Sequence, residues 1–237
     1  MARAWKAALT GVAVAGLLAF GGPTRAQDMT VMTSVPSLGF PFFVHMMKAL
    51  QDEAKALGVK TIESDGQNSA PKQTADVEAA VVQGVSGIVI SPLDVNAMAP
   101  AIQTAIENDV PVVTIDRRVA GVEGILAHVG ADNVKGGEAQ GAWVMESFPN
   151  GAMIVNLQDK VKIIGFDALP EALAAVRDGQ LAGTVEQFPG GQSRKAMQIM
   201  VEHLKDKKAP ESDLVLLTPI VITKDNLDKS ERLSEVK

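Results

Sequence analysis

Residues 87–117 read GIVISPLDVNAMAPAIQTAIENDVPVVTIDR. Two short runs rich in β-branched residues, 87–91 and 112–116, enclose a stretch over 96–108 with apolar residues at helical spacing. The same unit recurs upstream. Residues 30–34 and 59–64 read as strands, and 42–57 and 72–83 read as helices. The four strand starts lie 29, 28 and 25 residues apart. Alternation of this kind predicts βαβ units, hence an α/β fold whose parallel sheet is covered by helices on both faces. The strands are apolar almost throughout, as strands buried on both faces must be. Each ends in a polar cluster: Ser34, Ser64-Asp65, Ser91-Pro92 and Asp116-Arg117. Ligands of open α/β sheets bind at the carboxyl ends of strands, so a site is expected at those clusters.

Downstream, 124–129 reads as a further strand and 132–148 as a helix capped by Asp132 or Asn133. A turn at Asn150-Gly151 leads to a strand over 152–157, and this run opens a second α/β lobe. There the rhythm breaks. Residues 153–157 and 161–166 are both strand-like, yet only Gln158, Asp159 and Lys160 separate them. Parallel neighbours need a crossover of a dozen or more residues, so the two must form a hairpin or merge. A helix (170–178), a strand (183–186), a helix (192–206) and one final strand (214–223) follow. The charged tail from Lys224 is expected on the surface.

The N-terminus is laid out as a secretory signal. Arg3 and Lys6 precede an uncharged apolar run over 7–20, then Gly21-Gly22-Pro23 and the small-residue pattern Thr24-Arg25-Ala26. Cleavage is expected after Ala26, which assigns the chain to the periplasm. The alternative, a membrane anchor, is disfavoured because the run falls short of the ~20 residues that span a bilayer. Removal of residues 1–26 takes three basic residues and no acid, leaving 19 basic against 28 acidic residues, a net charge of −9. An acidic surface argues against nucleic-acid binding. With no cysteine in the chain, thiolate catalysis and cysteine metal sites are excluded, and an exported fold must rely on its core. His45, His128 and His203 lie far apart, in no metal-ligating spacing. No GxGxxG, P-loop, GxSxG or HExxH pattern occurs, so no catalytic residue, metal or cofactor is assigned.

Two features carry chemistry. Phe42-Phe43 open the first helix, and positions about 100° apart cannot both face one way. One ring is expected in the core, while the other either packs as well or stacks on the C–H face of a sugar. Asp116-Arg117 offers charged acceptors beside a planar donor fork, which suits vicinal hydroxyls that both donate and accept. A structural ion pair reads equally well from spacing alone.

Taken together, Pro41-Phe42-Phe43, Ser91-Pro92, Asp116-Arg117, Gly165-Phe166-Asp167 and Thr184-Val185-Glu186-Gln187 resemble the binding elements of ribose-type sugar-binding proteins of ABC importers. The resemblance runs from about Thr30 to Ile222. It implies a two-lobe architecture of the periplasmic-binding-protein type 1 class, with lobe one over 27–130 plus 188–213 and lobe two over 131–187 plus 214–237. The lobes would be joined by crossings near 130–132, Gln187 and Leu214. By that resemblance Phe42, Phe43, Ser91, Asp116 and Arg117 contact a monosaccharide from lobe one, Asp167 from lobe two and Gln187 from the hinge, with Ser34 a weaker candidate. Relatives often carry Asn at the position of Ser91. The implied partners are a pentose or hexose and an ABC permease in the inner membrane, with the chain a monomer.

The family also has a second-lobe Arg, an aromatic residue and an Asn-Asp pair with no counterpart here. About three βα units, on the order of 75–85 residues at the spacing of lobe one, are missing near 158–161. Joining the remaining strands by three residues is expected to displace Asp167 from its family position. Two alternatives stand beside a working sugar-binding component: an internally deleted chain with no site, and a secreted α/β enzyme. A transcription regulator of related fold is disfavoured, because no helix-turn-helix precedes the domain.

Overall fold

The computed structural model describes residues 29–149 and 163–237. The expected signal sequence and the strand expected over 152–157 lie outside the described residues, as does the shortened connection at 158–160.

Six strands form the larger sheet: β1 (Thr30–Val35), β2 (Lys60–Asp65), β3 (Gly87–Ile90), β4 (Val112–Ile115), β5 (Ala127–Ala131) and β8 (Leu214–Leu217). Their order is β2-β1-β3-β4-β5-β8, and every pair is parallel. Neighbouring side chains point to opposite faces, and both faces are buried. Val31, Val89, Val113 and Val129 meet α1 (Pro41–Ala56) and α6 (Pro189–Asp206) through Met46, Leu50, Met197 and Met200. Met32, Ile88, Ile90 and Val112 meet α2 (Ala70–Val82) and α3 (Ala99–Glu107) through Val77 and Ile102. That double cover is why the strands read as unbroken apolar runs.

Local sequence explains the helix ends. Proline occupies the first turn of α1, α2, α3 and α6, where a missing N–H costs nothing and φ is already helical. α2 is also capped by Ser69, whose side chain accepts from the Lys72 N–H. Gly84, at φ +72°, lets the chain leave α2 in the left-handed region. Gly87 has another role: a Cβ there would lie 2.3 Å from Met200 Sδ, so its absence lets α6 approach β3.

The second lobe is smaller. Its sheet holds β6 (Ile164–Phe166), β7 (Gly183–Glu186) and β9 (Ile220–Ile222), in the order β6-β7-β9. β6 and β7 are parallel, while β9 runs antiparallel to β7. It packs against α5 (Pro170–Arg177) and α4 (Asn133–Ser147), the latter capped by Asp132, whose carboxylate accepts from Lys135 N at 3.1 Å. Only Gly136 of α4 is buried.

Two sequence expectations need correction. The single final strand over 214–223 is two strands, because Thr218-Pro219 breaks it: β8 completes the large sheet and β9 joins the small one. The third crossing therefore lies at 218–219 rather than near Leu214. The tail from Lys224 is not a surface segment either. Its two 3₁₀ turns, Lys224–Lys229 and Leu233–Glu235, flank Ser230 and Arg232, which are 7% and 0% exposed.

Candidate functional site

The strand order reverses direction from β1, with β2 on one side and β3 on the other, and the carboxyl ends of β1, β3 and β4 converge at that switch point. One buried side chain ties them together. Gln73, on α2 and fully buried, donates from Nε2 to Ser34 Oγ (3.0 Å) and to the Ser91 carbonyl (2.9 Å). Its Oε1 accepts the Leu93 N–H at 2.8 Å. Ser34 in turn donates to Ser64 Oγ (3.3 Å), and Ser64 donates to Asp76 (2.7 Å). Ser34 thus belongs to a network beneath the site and does not line it.

At the end of β4 the backbone of Asp116 turns left-handed, φ +62°, which an aspartate tolerates better than most residues. This aims its carboxylate into a buried position. Oδ2 accepts from Ser91 Oγ at 3.2 Å and lies 3.6 Å from Arg117 Nε. Burial pushes the Asp116 carboxyl up to about 6. Arg117 and the Ser91 hydroxyl oppose that rise, and the charge of Asp167 adds to it. Arg117 donates from Nη1 to the Leu93 carbonyl (3.0 Å), and its guanidinium lies 5.5 Å from the centroid of the Phe43 ring. The fork is held at one end and stacked on its face, the geometry in which Arg differs most from Lys.

From the small lobe comes Asp167, just after β6. Asp167 and Ala168 are both left-handed, at φ +77° and +45°, and the Ala168 N–H donates to Thr184 Oγ1 at 3.2 Å. Gln187, at the second crossing, donates from Nε2 to Asp167 Oδ1. Burial raises the Asp167 pKa, against the lowering effects of the Gln187 amide and the Arg232 charge. The Gln187 carbonyl is itself held by Gln192 Nε2 at 2.9 Å.

These groups border one cavity of about 380 Å³, within the range of small-molecule pockets. Of the eight residues expected at a site, Phe42, Phe43, Asp116, Arg117, Asp167 and Gln187 line it. Ser91 is fully buried and reaches the cavity only through Asp116. Asp167 faces the cavity in spite of the shortened connection, contrary to the expected displacement. Both Phe42 and Phe43 are buried, packed edge to face at 5.2 Å, so neither projects as a free ring. The exposed ring at the mouth is Phe40, 50% exposed and set edge-on to Phe43. Sequence reasoning missed Phe40, Asn68, Leu93 and Leu169 as lining residues, and Gln73 as the tie beneath. Asn68 follows the Ser64-Asp65 cluster by three residues and has left-handed φ of +56°, so the turn after β2 held a readable signal. Gln73 had none.

A match to the family model of the periplasmic binding protein domain covers residues 31–158 and 153–208. The chain belongs to that family. The two matched pieces meet at 153–158, close to the break in strand–helix rhythm. Among curated relatives, the ribose import binding protein RbsB of Bacillus subtilis is 41% identical over 134 residues, which is 56% of this chain and 43% of that protein. The chain thus spans less than half of that relative's length. RbsB of Escherichia coli is 25% identical over 259 residues, covering 77% of this chain and 87% of the relative. Since 77% of this chain is about 182 residues, about 77 of those 259 aligned positions carry no residue here. That deficit agrees with the 75–85 residues expected to be missing. Among solved structures, the Caulobacter myo-inositol binding protein bound to myo-inositol is 33% identical with a TM-score of 0.80, covering 90% of this chain and 99% of that one. These family members are binding proteins, and membership sets aside the secreted-enzyme alternative.

Proposed function

We propose that this chain is the solute-binding component of an ABC-type sugar importer. It captures a monosaccharide or related cyclic polyol between its lobes without chemistry and presents it to a membrane permease. One observation carries the reading: two carboxylates, a guanidinium and a side-chain amide converge on a single cavity from both lobes and the crossing between them. Hydroxyls donate to Asp116 and Asp167 and accept from Arg117 and Gln187, while the apolar wall of Phe40, Phe42 and Phe43 meets the C–H face. Asn68 adds an amide at the rim. By the layout of its first 26 residues the chain is exported to the periplasm, cleaved after Ala26, and acts as a monomer.

The internal shortening favours a weakened version of this activity. Among the described residues, the small lobe contributes only Asp167 and Leu169 to the cavity wall. Three lost contacts at roughly 0.5–1.5 kcal/mol each lower affinity by about two to three powers of ten. Calorimetric titration with ribose, allose and myo-inositol tests both statements. Saturable binding with a millimolar Kd is the expected result. No binding at tens of millimolar for any pentose, hexose or inositol overturns the function. A micromolar Kd overturns the weakening.

A further inference from the structure

The segment 224–237 leaves β9 in the small lobe and does not stay there. Leu227 and Val236 pack with Ala168, Leu173 and Ile222 of that lobe, and Arg177 Nη1 on α5 donates to the Lys237 carbonyl at 3.2 Å. Between these anchors the chain reaches the second crossing, where Ser230 Oγ donates to Glu186 Oε2 at 2.9 Å. It then reaches the large lobe. Glu231 accepts from the Gly190 N–H (2.8 Å) and from Arg194 Nη2 (2.7 Å), both on α6. On α1, His45 places Nδ1 2.6 Å from Glu235 Oε1 and Nε2 3.6 Å from Glu231 Oε2. Glu186 and Gln187 are consecutive in extended chain. The side chain that meets this segment and the one that meets the cavity therefore point opposite ways. The segment lies across the crossing from the cleft.

We propose that residues 224–237 form a strap that ties the two lobes together, and that protonation of His45 fastens it. The geometry at His45 explains why. A neutral ring that donates from Nδ1 to Glu235 turns the lone pair of Nε2 toward the Glu231 carboxylate, and Nε2 is buried with no hydrogen-bond partner. An imidazolium presents an N–H to each carboxylate. The other charges leave room for that cation. Lys48 and Asp52 neutralise each other along α1. Glu53, which accepts from Gln198 Nε2, joins Glu231 and Glu235 as a third carboxylate facing the same hollow. Two guanidiniums answer them: Arg194 on Glu231 and the fully buried Arg232 on Glu235 Oε2. Three carboxylates against two guanidiniums is completed by one imidazolium.

Burial alone lowers the His45 pKa, but the two carboxylates outweigh it and the net shift is upward. A raised folded pKa means the stabilisation is full below the ordinary value of 6.5 and is lost as pH rises through the higher folded value. The strap is therefore tight in mild acid and slack in mild alkali. In a protein whose ligand exchange requires the lobes to part, the lobe separation becomes pH-dependent.

The test needs no sugar, so it stands or falls apart from the proposed ligand. The chain lacks cysteine, which allows spin labels at Lys55→Cys on α1 and Glu171→Cys on α5, both exposed. Inter-label distance distributions are recorded by pulsed electron resonance at pH 5.5 and 8.5. The expected result is a distribution that broadens at pH 8.5 in the otherwise unaltered chain. His45→Gln should lose more than half of that broadening, a comparison that also removes the contribution of Asp116, which titrates in the same range. Absence of broadening in the unaltered chain, or retention of more than half of it in His45→Gln, overturns the proposal. If His45→Gln does not fold by circular dichroism, Glu235→Gln replaces it. That variant keeps the histidine and removes one carboxylate, and an undiminished pH response in it overturns the proposal equally.

Discussion

The Ser91 hydroxyl donates to the Asp116 carboxylate at 3.2 Å, which locks the end of β3 to the end of β4 directly beneath the cleft. That bond, with Arg117 alongside, offsets only part of the cost of burying the charge, since the Asp116 carboxyl still stands at about 6 against an ordinary 3.8. The site is held in its ligand-accepting form at the expense of fold stability.

A neutral residue at this position should therefore stabilise the fold and damage binding. A folded pKa raised above the unfolded one contributes stability below about 3.8, and that stability is lost as pH rises through about 6. At pH 7.5 the deficit is at most roughly 3 kcal/mol for a shift of about two units. Asp116→Asn is expected to raise Tm by several degrees at pH 7.5 while abolishing saturable sugar binding. Arg117→Ala should also abolish binding with Tm nearly unchanged. A lower Tm for Asp116→Asn, or intact binding in both variants, would contradict this account. Thermal melts at pH 7.5 and calorimetric titration of the same preparations decide it.

Gln73 makes a separate prediction. Replacing it by Leu strands Ser34 Oγ, the Ser91 carbonyl and the Leu93 N–H in the interior. Unmade buried hydrogen bonds cost about 1–3 kcal/mol each, so Gln73→Leu should lose roughly 3–5 kcal/mol in urea unfolding. Because it frees the ends of β1 and β3, it should also weaken binding without touching the ligand. Gln73→Glu retains the acceptor for Leu93 and should lose less.

His128 sets an acid limit. It sits in β5, 6% exposed, with Nδ1 3.0 Å from Thr114 Oγ1, and burial followed by the charge of Arg118 lowers its pKa to about 4. The unfolded chain binds a proton that the folded one refuses between about 4 and 6.5, so folding stability falls as pH drops through that window. The loss amounts to roughly 3 kcal/mol. His128→Asn should flatten the urea midpoint between pH 4.5 and 6.5 relative to the unaltered chain. An unchanged slope would mean that the ring is protonated in the fold.

Hydrogen exchange should divide the molecule unequally. β1, β3 and β4 are central strands of a six-stranded sheet with both faces covered, whereas the small lobe has three strands and an α4 with one buried residue. Amides of 87–115 should exchange slowly, by global unfolding, and those of 133–147 and 164–166 by local opening at much lower cost. Equal protection of the two regions would show that the shortened lobe is as cohesive as the larger one.

How much of this was legible beforehand depends on the range over which each feature is encoded. The parallel strands and their helices were readable because apolar periodicity and first-turn prolines are local properties, and β1 to β4 and α1 to α3 formed within a few residues of the expected bounds. The shortened second lobe was readable as well, because a crossover cannot be made from three residues whatever surrounds it. Asp116 and Arg117 stood out because a charged pair closing a buried apolar strand must face something polar.

Other features were decided only by tertiary packing. Gln73 ties residues 34, 91 and 93 from a helix whose sequence is ordinary, and no pattern marks a glutamine that will be buried. Thr218-Pro219 splits an apolar run that looks continuous, and only sheet partners reveal that its halves belong to different lobes. The tail 224–237 is rich in charge and reads as solvated. Yet Arg232 is fully buried, because Glu235 and the neighbouring carboxylates of the crossing replace the water it gives up. Local pattern carries secondary structure through backbone geometry, while burial of polar groups is set by partners far apart in sequence, which only the folded chain brings together.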